Sequence, residues 1–199
     1  MAVSRSSLVA AVTTALLAAG SVVVTATPSA AAVSRFDDGS FEYPTAPANS
    51  FTNVVAGQSI GPWKVVSGSV DLIGAGFWQA AEGDQSVDLN GAQTGAVSQT
   101  FSTVAGQTYT VTYALASNTA GGPTVKTGKV LVDGQNFQDF SFDSTGRTPA
   151  AMGYVRRQLT FVANAATTTL GFASTVPGAM GPVIDDVRVT LCPPCSCAE

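Results

Sequence analysis

Between residues 108 and 115 the chain alternates strictly, with Tyr109, Val111, Tyr113 and Leu115 at the odd positions and Thr108, Thr110, Thr112 and Ala114 at the even ones. A period of two places one set on each face of a pleated strand, so one face is apolar and the other rich in hydroxyls. No helical stripe occurs after Phe36, and shorter alternations recur at Leu159 and Phe161, at Leu170 and Phe172, and at Val187, Val189 and Leu191. Val130 and Val132 lead into Asp133-Gly134, with Phe140 and Phe142 beyond. Asp-Gly accepts the positive backbone angles of a tight hairpin turn. Further strands are expected over Phe36–Tyr43, Trp63–Val66, Val70–Ile73, Ser86–Leu89 and Val97–Phe101. About ten short strands separated by Gly, Pro and Asn imply an all-β antiparallel β-sandwich. Its long loops are expected over Pro44–Gly61, Gly74–Gln85, Ser117–Pro123, Asp143–Met152 and Ser174–Pro182. On a rigid sandwich, loops of this size are where a ligand is met.

The first residues follow a different rule. Arg5, the apolar run from Leu8 to Val24 and the small-residue stretch Ser29-Ala30-Ala31-Ala32 come in the order of a secretory signal peptide, with cleavage expected after Ala32. A membrane anchor would need about 20 continuous apolar residues, and Thr13, Thr14, Gly20 and Ser21 interrupt this run. The expected organisation is a signal peptide over residues 1–32, one β-sandwich domain over 33–191 and a Cys/Pro tail over 192–199. The protein is therefore expected to be secreted, extracellular or cell-wall associated, with no membrane insertion. Nine Lys and Arg stand against thirteen Asp and Glu, for a net charge of −4, and the cations are scattered. That balance argues against a nucleic-acid partner, which demands a basic surface.

The chain has no histidine, which removes His-activated nucleophiles and every His-ligated metal centre. Paired carboxylates remain as a route to glycoside hydrolysis, and Glu82, Asp84 and Asp88 lie close in sequence, although solvated loop acids are the plainer reading. Sugar binding requires an aromatic face for the apolar side of a pyranose and planar polar groups for its hydroxyls. Phe77-Trp78-Gln79, in a glycine-flanked loop, supplies that combination, with Asn90 as a further polar candidate. Two readings of Trp78 stay open, a ligand contact or a plug at the end of the sandwich; Trp63, which opens a strand, reads as core. Asp37, Asp38 and Glu42 near the start and Asp185 and Asp186 near the end are hard oxygen donors on segments expected to run side by side, which suits Ca²⁺. Edge-strand charges that discourage aggregation are the alternative. In an exported chain, Cys192, Cys195 and Cys197 are disulfide candidates. One bridge leaves one thiol over, available for a disulfide-linked homodimer, for attachment elsewhere, or for nothing.

Four blocks in order carry a resemblance: Gly39-Ser40-Phe41-Glu42-Tyr43-Pro44, Gly61-Pro62-Trp63-Lys64-Val65 with Ser67-Gly68-Ser69-Val70-Asp71, Ser86-Val87-Asp88-Leu89-Asn90-Gly91, and Gly181-Pro182-Val183-Ile184-Asp185-Asp186-Val187. Together they resemble the bacterial choice-of-anchor C domain. That group is similar to plant cell-wall proteins built from a domain of unknown function and, more distantly, to carbohydrate-binding modules with the galactose-binding-like jelly-roll fold. The resemblance spans residues 36–191 and implies a jelly roll, an extracellular location and association with cell-wall polysaccharide, without catalysis. It also implies a structural calcium held by Glu42 and Asp186, with the Ser40 carbonyl and Asp38 assisting. The function expected from the sequence is thus a secreted, non-catalytic, calcium-stabilised module that binds polysaccharide. The alternative is a structural or adhesive envelope protein with no specific sugar site.

Overall fold

A computed structural model describes residues 35–192, and all regular structure among them is β. Twelve strands follow in order: β1 (Phe51–Val55), β2 (Ser59–Ile60), β3 (Trp63–Ser67), β4 (Ser69–Ile73), β5 (Ser86–Asp88), β6 (Ala96–Ser102), β7 (Thr108–Ser117), β8 (Val125–Val132), β9 (Gln135–Asp143), β10 (Val155–Val162), β11 (Thr167–Ser174) and β12 (Pro182–Leu191). They form two six-stranded sheets, ordered β1-β4-β5-β12-β7-β10 and β2-β3-β6-β11-β8-β9. Every pairing is antiparallel. This is the expected sandwich. No helix among the described residues is long and apolar enough to cross a membrane. The expected signal peptide over residues 1–32 lies outside the described residues, as do Cys195 and Cys197.

The alternation of β7 decides how the sheets face each other. Its odd residues Tyr109, Val111, Tyr113 and Leu115 are buried in the common core, and its even residues point away from the second sheet. Tyr113 of β7 meets Phe172 of β11 with ring centroids 5.0 Å apart, an edge-to-face contact across the two layers. Trp63 is 0% exposed and packs against Phe36, Phe41 and Phe172, while its indole N–H donates to the Asp38 carbonyl at 2.9 Å. The β8–β9 hairpin turns at Asp133 and Gly134, whose φ values of 50° and 79° are those the Asp-Gly pair was expected to adopt.

The structure corrects three expectations. The segment from Phe36 to Tyr43 is not a strand. Asp38 and Phe41 have φ of 47° and 58°, and the Asp38 carboxylate accepts from the backbone N–H of Glu42 and Tyr43, replacing a sheet ladder with a local turn. The segment still reaches the last strand, because the Val187 N–H donates to the Gly39 carbonyl at 2.9 Å. A Cβ on residue 39 would sit 1.8 Å from the Val187 carbonyl oxygen, so only glycine allows this approach. The stretch Pro44–Gly61, expected to be a loop, contains β1 and β2. Finally, Cys192 belongs to the body of the domain and not to a free tail. It is buried, its N–H donates to the Thr108 carbonyl, and it is disulfide-bonded.

Candidate functional site

Register sets the outward face of the first sheet. On β4, Val70 and Leu72 point between the sheets, so Ser69, Asp71 and Ile73 lie on the strand's other face, where Ser69 and Ile73 are themselves buried and Asp71 keeps partial exposure. Antiparallel pairing places Phe51 opposite Ile73, Asn53 opposite Asp71, and Asp71 opposite Asp88. Over this face fold the connections after β4, β7, β9 and β11. Trp78 anchors the first of them through its indole N–H, which donates to the Ser86 hydroxyl at 2.8 Å. The Gln79 N–H donates to the Pro149 carbonyl, and Asp185 of β12 accepts from the N–H groups of Ala81 and Glu82 at 2.7 and 3.0 Å.

Between these loops lies a cleft of about 400 Å³, within the range that small-ligand sites occupy. Phe51, Phe77 and Trp78 form its aromatic wall. Phe51 and Phe77 meet edge-on at 5.6 Å, and Phe77 and Trp78 at 5.3 Å. Phe51 is 46% exposed and Phe77 39%, whereas Trp78 keeps only 7% of its surface in solvent. Ile73, Pro149 and Met180 add apolar surface, and Asp71 and Asn118 contribute polar groups.

Behind Asp71 is a compact polar network. Asp71 Oδ1 accepts from Asn53 Nδ2 at 2.7 Å. The Asp88 carboxylate is fully buried and accepts from the N–H of Asn90 at 2.9 Å, the N–H of Gly181 at 3.0 Å and Asn118 Nδ2 at 2.8 Å. Burial pushes the Asp88 carboxyl up to about 7; its three donors oppose that rise and neighbouring Asp71 adds to it. The Asp71 carboxyl is likewise raised by burial, against the hydrogen bond from Asn53. Position 181 admits no side chain, because a Cβ there would lie 2.4 Å from Asn90 Oδ1 and 2.6 Å from Asp88 Oδ1.

Among the ligand-site residues expected from sequence, Phe77 and Trp78 line this cleft. Gln79 does not: its Oε1 accepts from the Met152 N–H, and it borders a neighbouring groove with Tyr154 and Arg156. Asn90 is fully buried behind the cleft, where its amide donates to the carbonyls of Val176 and Gly178. Sequence reading missed Phe51, Asp71 and Asn118. The signal for Asp71 was parity: it sits between the core residues Val70 and Leu72, as Asp88 sits between Val87 and Leu89.

Residues 34–190 match the family described as protein of unknown function DUF642. The chain belongs to the DUF642 family. The match supports the expected likeness to a domain of unknown function; the choice-of-anchor C likeness stays a resemblance. The DUF642 domain is also 31% identical over 145 residues to halomucin of Haloquadratum walsbyi, an alignment covering 71% of this chain and 2% of halomucin. Among solved structures, a family 35 carbohydrate-binding module from Clostridium thermocellum is similar at TM-score 0.47 and 13% identity, covering 69% of this chain and 97% of that module. The module TmCBM61 in complex with β-1,4-galactotriose is similar at TM-score 0.47 and 18% identity, covering 67% and 90%.

The residues expected to hold calcium in the DUF642 domain do not form one coordination set. Asp38 keeps a buried oxygen, Oδ2, without a hydrogen-bond partner, but its other oxygen serves the turn at Glu42 and Tyr43. One Glu42 oxygen accepts from the N–H groups of Asp84 and Gln85. Both Asp186 oxygens are taken by guanidinium groups, one by Arg156 and the other by Arg188 at 2.7 Å. Burial alone would raise the Asp186 carboxyl; Arg188 and Arg156 outweigh it and hold it below the usual carboxylate range. No group of three or more Cys, Asp or Glu among the described residues is gathered to hold a metal ion. In this arrangement the Glu42 and Asp186 oxygens named above are engaged by backbone N–H and guanidinium donors, and Asp38 Oδ2 alone is left without a partner.

Proposed function

We propose that the protein is a secreted, non-catalytic module that binds cell-wall or extracellular polysaccharide in the cleft walled by Phe51, Phe77 and Trp78. The carrying observation is a pair of partly exposed rings, Phe51 and Phe77, beside the carboxylate of Asp71 in one cleft between the loops. Sugar rings present C–H faces to aromatic rings and hydroxyl edges to planar acceptors, and the lining of the cleft includes both. Hydrolysis by paired carboxylates would require both acids to touch the scissile bond. Asp88, the partner of Asp71 across the strands, is fully buried with both oxygens occupied by protein donors, and so has no path to a substrate.

The test is retention on a glycan array and on insoluble polysaccharides, comparing the wild type with Phe77→Ala. Phe77 is the more exposed ring of the Phe77–Trp78 pair, so its removal should reduce binding by roughly ten-fold while leaving the fold intact. Equal retention of both proteins would place any sugar site elsewhere.

A further inference from the structure

The charge balance of the cleft narrows the ligand, given that the cleft binds glycan. No Lys or Arg lines it. Lys126 is buried, its Nζ donates to the carbonyls of Gly121 and Pro123, and its charge acts on the buried Asp88 and not on a group exposed in the cleft. Asp71 spends one oxygen on Asn53, and its second accepts no hydrogen bond from the described residues. Asp88 lies directly opposite on β5, so the register sets a second carboxyl, and no cation, behind Asp71 on the neighbouring strand. Asn118 already donates to Asp88, and its Oδ1 accepts from the Ala120 N–H, so that group offers a ligand little beyond one amide hydrogen. A hydroxyl-bearing sugar can donate to the free Asp71 oxygen. A carboxylate-bearing sugar would meet that oxygen charge to charge, in a cleft with no Lys or Arg among its lining residues.

We propose that the cleft accepts uncharged pyranoses and rejects uronate sugars, and that Asp71 sets this selectivity. Like charges a few ångströms apart in a partly desolvated site disfavour binding by about ten-fold or more. Asp71→Asn keeps the acceptor for Asn53, removes the charge and fits the same space. It should therefore raise uronate retention relative to neutral sugar by at least about ten-fold.

The experiment measures wild type, Asp71→Asn and Phe77→Ala against neutral hexose oligosaccharides, polygalacturonate, and the same backbone with its carboxyls methyl-esterified. Each variant is first shown to be folded by its melt. Wild-type binding to neutral sugars and to the ester but not to polygalacturonate, with Asp71→Asn closing the gap, supports the proposal. Polygalacturonate bound as well as neutral sugar, and lost in Phe77→Ala, overturns it while leaving the glycan-binding function standing. An unchanged ratio in Asp71→Asn overturns the role of Asp71. Retention of no carbohydrate by the folded wild type removes the glycan-binding function itself, and the selectivity with it.

Discussion

Raising the pH from about 5 to about 8 should destabilise the domain, and Asp88 is one of two buried carboxyls responsible. Its carboxyl ordinarily titrates near 3.8 and in the fold is pushed to about 7, because it is removed from water and faces Asp71. A carboxyl whose folded pKa is raised contributes stability that is complete below its unfolded pKa and is lost as the pH climbs to the folded one. The window therefore runs from about 4 to about 7. At 1.36 kcal/mol per pH unit, the passage from pH 5 to pH 8 removes roughly 2 to 3 kcal/mol through Asp88. Asp185, fully buried against the N–H groups of Ala81, Glu82 and Asp186, is also raised to about 7 and acts in the same direction. Asp186, held low beside its two arginines, has the opposite sign, but its contribution falls away only in more acid solution. For a domain of this size, the Asp88 share alone amounts to about 5 to 10 °C in melting temperature. The assay is a series of thermal melts across this pH range on the wild type and Asp88→Asn, where the variant should lose about half of the pH dependence. A melting temperature that is flat or rises between pH 5 and pH 8 would refute the reasoning, and so would an Asp88→Asn protein that keeps the whole slope.

Trp63→Ala should destabilise by about 3 to 5 kcal/mol, since the ring is enclosed by Phe36, Phe41 and Phe172. Phe77→Ala should destabilise by about 1 kcal/mol, because that ring is already partly in water, so similar melts for the two variants would contradict the assignment of one to core and the other to the cleft. Gly181→Ala should lower stability by at least about 2 kcal/mol by forcing a Cβ against Asn90 and Asp88, and an unaltered melt would show that this network is looser than described. Excess chelator should leave the melting temperature unchanged, because Asp186 is paired with arginines and not with an ion; a clear drop would restore the Glu42–Asp186 site.

The parts of the fold that depend on one strand alone were readable from sequence. The β7 alternation and the Asp133-Gly134 turn are written in adjacent residues, and Trp63 sits at the head of a patterned strand. Phe36–Tyr43 misled because its apolar residues suit a strand while Asp38 diverts the backbone donors into a turn. β1 was hidden for a different reason. It is an edge strand on which only Val54 is buried, so the ring of Phe51 points outward and breaks the usual match between apolar and inside. The cleft was half legible. Phe77 and Trp78 announce themselves as aromatics among glycines, but Asp71 and Asp88 lie on either side of a long connection. Only the register of β4 against β5 brings them face to face, and pairing partners are not encoded locally.

The position of β12 governs when the fold can form. This last strand lies between β5 and β7 at the middle of the first sheet, and through Val187 it also holds the Gly39 segment from the other end of the domain. Until residues 182–191 are available, β1, β4 and β5 on one side and β7 and β10 on the other have no shared neighbour, and the opening segment has nothing to dock on. A chain lengthening from its N-terminus can form the β8–β9 hairpin early, yet it must wait for nearly its last described residues before the first sheet closes. Assembly is thus a late, concerted event, and a truncation before Pro182 would yield two unjoined half-sheets with open edges.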